Sequence, residues 1–113
     1  MGEALVPSEP LSQVCFVHDD VQLVFQDEGF SIYNRTSIQI GVVQLLQGDP
    51  GFCDALVSLI GQRVVSTPKR NVLTLAFENG VELEVRGDDA DITGPESFQF
   101  NGPNGVIVVE QNV

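Results

Sequence analysis

The chain has 113 residues, 42% of them apolar, and a formal net charge of −11 from sixteen acids against five bases. That is one domain, 1–113, with room for a single modest core. A surface this acidic repels phosphate backbones and anionic lipid, which argues against nucleic acid and membrane as direct partners, and no apolar run is long enough to span a bilayer.

Residues 1–10 carry Glu3, Glu9, Pro7 and Pro10. They read as a polar lead-in, without the apolar stretch of a signal peptide, so the expected compartment is the cytoplasm. Val14, Cys15, Phe16 and Val17 form a short strand apolar on both faces, and His18-Asp19-Asp20 turns into a strand over 21–26. Asp27-Glu28-Gly29 turns into a third strand over 30–34, completing a meander. Ile38, Ile40 and Val42 alternate with Gln39 and Gly41 as a fourth strand or a bulged extension, whereas Val43-Gln44-Leu45-Leu46 shows no clear period.

One helix is predicted at roughly 50–60. Asp49 suits the N-cap and Pro50 the first helical position, where the missing N–H has no partner to lose. Phe52, Leu56, Leu59 and Ile60 make one stripe of a 3.6-residue period, and Gly61 supplies a left-handed stop. Strands follow at 63–67, 72–77 and 81–86, with turns at 68–71 and at Glu78-Asn79-Gly80, where Asn-Gly is a strong hairpin signal. The acidic stretch 87–91 is a loop. A last hairpin joins 97–100 to 106–110 through a turn at 102–105, and Val106-Ile107-Val108-Val109 is expected to be buried on both faces or central in its sheet.

The two halves repeat each other, about 11–47 and 61–110. Leu23 matches Leu75, Phe25 matches Phe77, Gly29 matches Gly80 and Ile32 matches Leu83, with one extra turn residue in the first copy. The expected fold is mainly β (α+β): two related antiparallel units, about eight strands, forming a curved sheet or half-barrel on one helix. A two-sheet sandwich is the alternative.

No catalytic, cofactor or metal constellation is evident. His18 is the single histidine and sits in a turn, with no spacing that brings Cys15 or Cys53 to it. Both cysteines lie among apolar neighbours and read as buried reduced thiols, although a bridge between them depends on geometry that sequence does not carry. Asp89-Ala90-Asp91-Ile92-Thr93-Gly94 matches the start of a calcium loop, but Phe100 stands where the bidentate Glu belongs. The Asn34-Arg35-Thr36 triplet is a glycosylation acceptor only in a secreted chain. Most of the eleven glycines fall at turns rather than in a phosphate-binding loop.

Acids cluster instead. From Glu78 to Glu96 there are seven against one base, Arg86. Glu82 and Glu84 lie two apart on one strand and share a face opposite Val81, Leu83 and Val85. Two carboxylates in one environment have nothing to part their acidities, so an acid/base pair is disfavoured and a docking face for a basic protein is the functional reading. Glu82, Glu84, Asp88, Asp89 and Asp91 are its candidate residues. The turn acids Asp19, Asp20, Asp27 and Glu28 come second.

With its size, its charge, its lack of a catalytic motif and its duplicated Leu-x-Phe…Gly-x-x-Leu/Ile hairpins, the chain resembles immunity proteins of bacterial contact-dependent growth inhibition and related polymorphic toxin systems. The resemblance covers most of the chain and transfers no functional residue one to one. It implies a non-enzymatic, cofactor-free antitoxin, monomeric or a small homo-oligomer. Its partner would be a cognate basic toxin domain, a nuclease for instance, whose active site it covers with acid. The alternative is a non-catalytic structural or regulatory domain that assembles with itself or joins a larger complex.

Overall fold

The computed structural model describes residues 5–68, 73–88, 91–92, 94–102, 105 and 107–112. Asp89, Val72, Val106 and much of the turns expected at 68–71 and 102–105 lie outside them. The described residues form ten strands and one helix: β1 (Gln13–Val17), β2 (Asp20–Phe25), β3 (Glu28–Ile32), β4 (Thr36–Ile40), β5 (Val43–Leu46), α1 (Phe52–Val57), β6 (Val64–Ser66), β7 (Thr74–Phe77), β8 (Glu82–Val85), β9 (Glu96–Asn101) and β10 (Ile107–Gln111). The fold is mainly β, as the sequence predicts. Its strands divide between two antiparallel five-stranded sheets, which do not close into a barrel.

Strand order is β1-β2-β3-β9-β10 in one sheet and β5-β4-β8-β7-β6 in the other. Exchanging β1–β5 with β6–β10 converts one order into the other. Each half therefore gives a three-stranded meander to one sheet and a hairpin to the other. That hairpin pairs with the third strand of the opposite meander, β9 on β3 and β4 on β8. Neither half can complete a sheet alone.

Register refines the repeat. Leu23 stands opposite Phe30, and Leu75 opposite Leu83. Leu23/Leu75 and Phe25/Phe77 are thus equivalent, but Phe30, not Ile32, occupies the place of Leu83. The extra turn residue belongs to the second copy. Phe25 and Glu28 enclose only Gln26-Asp27, with Gln26 at φ 65°, whereas the Phe77–Val81 pair encloses Glu78-Asn79-Gly80, with Gly80 at φ 91°. Gly29 is a strand residue, not a turn residue. A Cβ there would stand 2.8 Å from the Leu23 carbonyl oxygen, so the strand accepts no side chain at this point.

Alternation on both sheets turns Val21, Leu23, Phe25, Phe30, Ile32, Ile38, Leu75, Phe77, Leu83, Val85, Phe98 and Phe100 into one shared core. Phe30 lies at its centre, with ring centroids 4.8 Å from Phe100 and 6.2 Å from both Phe25 and Phe98.

The helix is shorter than predicted. Phe52, Leu56 and Leu59 are buried and Gly61 has φ 96°, as expected, but Ile60 is exposed. Its N-cap is Gly51 at φ 88°, with no side-chain cap. The Asp49 carboxylate instead accepts the Leu46 N–H at 2.8 Å, because the tight turn after β5 brings that donor to it first. Six residues do not sustain a helix in water, so α1 depends on packing its apolar stripe against the sheets.

The lead-in is not a polar tail. Leu5 and Leu11 belong to the core, and Ser8 is held by Glu28 and by Arg63, whose Nη1 donates to the Ser8 carbonyl at 2.7 Å. Cys15 is half-buried on β1 and Cys53 is exposed on α1, both as free thiols, so neither is the core hydrophobe the sequence suggested.

The halves cross at one place. β3 passes to β4 through 33–35, and β8 passes to β9 through 86–95. Asn34, 1% exposed, sits in this crossing. Its Nδ2 donates to the Arg86 carbonyl (2.9 Å), Ser97 Oγ (3.2 Å) and Asn112 Oδ1 (2.9 Å). Asn112 Nδ2 returns a bond to Asn34 Oδ1 at 3.0 Å and another to the Gly94 carbonyl. The glycosylation acceptor is thus consumed inside the fold. Asn34→Ala is expected to lower unfolding free energy by about 2–3 kcal/mol, since it strands several buried partners. Urea denaturation of the single and double variants with Asn112→Ala would show coupling of at least about 0.5 kcal/mol. Gly29→Ala is expected to cost about 1–3 kcal/mol, because the clash is with backbone.

Candidate functional site

On β8, Leu83 and Val85 face the core, so Glu82 and Glu84 face outward. Their neighbours come from both halves of the chain. Glu84 stands opposite Ser37 on β4 and Thr74 on β7, and Glu82 stands opposite Gln39 and Ala76, with Gln44 beyond Gln39 on β5. Ser37, Gln39, Gln44, Thr74, Glu82 and Glu84 line a groove of about 110 Å3. Ser37 Oγ donates to Glu84 Oε1 at 3.4 Å. The floor is made of carboxylates, hydroxyls and amides, without aromatic or histidine side chains. Such a surface can hold cationic groups by charge-assisted hydrogen bonds.

The acids expected to form a single face separate into distinct roles. Arg86 lies among three of them: its Nη1 is 3.6 Å from Glu84, its Nη2 3.4 Å from Asp88 and its Nε 3.1 Å from Asp91. Asp91 is buried, 6% exposed, and its backbone is also engaged, with its carbonyl accepting from Arg35 and its N–H donating to Asp88. It is therefore an internal counter-ion of Arg86 and not a docking residue. The same pairing takes it out of the calcium-like loop. Asp88 is open to solvent and Glu82 is exposed, whereas Asp89 lies outside the described residues.

The second set divides as well. Glu28 is buried, 7% exposed, because the ladder places it opposite Phe25 on the core side. Its Oε1 accepts the Ser8 N–H at 2.8 Å and the Ser8 hydroxyl at 2.7 Å, which fastens the lead-in. It is a structural carboxylate. Asp19 and Asp27 are exposed in turns, while Asp20 lines an open cleft of about 220 Å3 with Tyr33, Gly94, Pro95 and Glu96, away from the groove. His18 is exposed in the β1–β2 turn at φ 55°. Among the described residues, no group of three or more His, Cys, Asp or Glu is placed to hold a metal ion. No helix among them is long and apolar enough to cross a membrane.

The chain matches no family model, no curated protein and no solved structure. Its own other sheet is therefore the reference for the groove. On the equivalent outer face of the other sheet, Gly29 stands opposite Asn101 and Ser31 opposite Gln99. The positions that hold Glu82 and Glu84 in one copy hold Gly29 and Ser31 in the other. Same scaffold, different charge.

Sequence reasoning missed Ser37, Gln39 and Gln44, because β4 reaches β8 from the opposite half. The only hint was the polar face of the Ser37-Ile38-Gln39-Ile40 alternation. Arg86→Met is expected to destabilise the fold by about 1–3 kcal/mol, because Asp91 would stay buried without its partner. Asp88→Asn is expected to stay within about 0.5 kcal/mol, since its contact with Arg86 is largely solvated. Thermal denaturation of the two variants would check the contrast.

Proposed function

We propose that this protein is a non-enzymatic binding protein of the immunity type, which works in the cytoplasm by docking its β4–β8 groove on a basic toxin domain. The supporting observation is the inequality of two otherwise equivalent faces. Carboxylates needed only for solubility have no reason to prefer one copy of the scaffold over the other. On one outer face Glu82 and Glu84 stand on β8, with Glu78 and Asp88 in the segments that flank it, where β3 on the equivalent face holds Gly29 and Ser31.

The mechanism is charge complementarity. A nuclease must hold phosphates, so its cleft presents Lys and Arg, to which a row of carboxylates is attractive. Long-range attraction accelerates encounter, and ion pairs desolvated in the groove slow dissociation. Gln39, Gln44, Ser37 and Thr74 would complete hydrogen bonds that the carboxylates alone leave open. Arg86 has a limiting role here, because it already partly neutralises Glu84 and leaves Glu82 the freer charge.

The probes are basic C-terminal toxin domains of the polymorphic type, and a chain that binds none of them overturns the reading. The pair Glu82→Lys and Glu84→Lys is expected to weaken binding by about 100-fold or more and to abolish protection of cells. Gln22→Lys and Ser31→Lys, placed on the equivalent face of the other sheet, are expected to leave both unchanged. Binding that survives the first pair and fails with the second would move the site to the other sheet.

A further inference from the structure

The last strand is not where its sequence suggested. Val106-Ile107-Val108-Val109 reads as a doubly buried or central strand, yet β10 is the edge of its sheet, with β9 on one side only. Ile107 is 59% exposed and Val109 41%. Among the described residues of this run, Val108, opposite Phe100, is the one that packs on the core. An edge strand presents a row of N–H and C=O groups to any strand that can lie beside it.

Of the other three edges, two are interrupted and the third, β1, is flanked by the helix. β5 ends at Leu46, whose N–H donates to the Asp49 carboxylate and whose carbonyl accepts the Asp49 N–H, both at 2.8 Å. β6 is three residues long and slips register against β7. β1 is preceded by Leu11, whose N–H and carbonyl are taken by Gln62 and Gly61, and α1 packs against it. β10 keeps a regular ladder from Ile107 to Glu110, with its register shift only at Gln111.

We infer that β10 is the pairing edge for a second copy of this chain. An antiparallel pair of β10 strands is self-complementary: Ile107 of one copy meets Val109 of the other, Val108 meets Val108, and the outer faces stay aligned. The strand also carries little charge to oppose this in a molecule of net −11. Its one acid, Glu110, pairs in register with Phe98 and so projects on the core side of the sheet, not on the face where Ile107 and Val109 meet. A basic partner would find no carboxylate on that outer face. An equally neutral, β-branched strand is the matching surface. The product is a continuous sheet of ten strands, with the two carboxylate grooves left open on the other sheets. The inference does not rest on the toxin-binding reading.

Light scattering and sedimentation across a concentration series test it on the full chain. The unaltered protein is expected to form a dimer, and Val109→Lys to raise its dissociation constant by at least about tenfold while keeping the far-ultraviolet spectrum of the fold. Ile107→Lys, at the more exposed position, is expected to do the same and serves if Val109→Lys fails to fold. A protein that stays monomeric throughout the series overturns the inference. So does a dimer unaffected by both variants, or one dissolved by Val43→Lys on β5 instead.

Discussion

Asn34 occupies the point on which the rest of the molecule depends. Each half of the chain must send a hairpin into the other half's sheet, so two connections pass the same place and carry peptide groups away from water. Buried backbone groups need partners. One amide serves several of them, with Nδ2 reaching the Arg86 carbonyl and Ser97 Oγ while its own backbone N–H reaches the Ser97 carbonyl at 3.2 Å. The reciprocal pair with Asn112 then ties down the chain just beyond β10. A single side chain thus couples β3, β4, β8, β9 and the C-terminal segment.

That coupling explains why short elements suffice. The helix has six residues and no side-chain cap, and β6 has three, yet both sit on a core that draws from both sheets. Exchange of hairpins makes the core a set of contacts between distant parts of the chain, so neither half completes a sheet by itself. Glu28 and Arg63 extend the same logic to the lead-in, fixing Ser8 so that Leu5 and Leu11 can cover the core. Burying Glu28 is tolerable because its carboxylate accepts two hydrogen bonds there.

Charge is distributed by the same symmetry. Its strand pairs keep the two outer faces geometrically alike, and only one of them bears Glu82 and Glu84. Part of the acidic stretch that follows is not surface charge. Asp91 and Arg86 form an internal pair that holds the longer crossing, 86–95, against Arg35. A density of acids in sequence therefore overstates the density presented to a partner.

Much of the fold is legible in the residues. Alternation at Val21-Leu23-Phe25, at Phe30-Ile32 and at Leu75-Phe77 dictates strands, because a pleated chain sends every second side chain to one face. The stripe Phe52-Leu56-Leu59 dictates a helix for the corresponding reason at period 3.6. Gly29 and Asp49 misled, since each suited a local motif and was claimed by a contact from another strand or turn. Leu45-Leu46 broke the alternation, and β5 went unmarked.

From the sequence alone came the mainly β class, the duplication, the net acidity and the outward direction of Glu82 and Glu84, all consequences of local period and composition. Only the tertiary structure decided which strands meet: that β4 from the other half flanks Glu82 on the side away from β7, that Asp91 and Glu28 are inside, and that β10 is an edge. Pairing between halves is chosen by the fit of one shared core and by hydrogen bonds across long loops. No window of neighbouring residues contains that information.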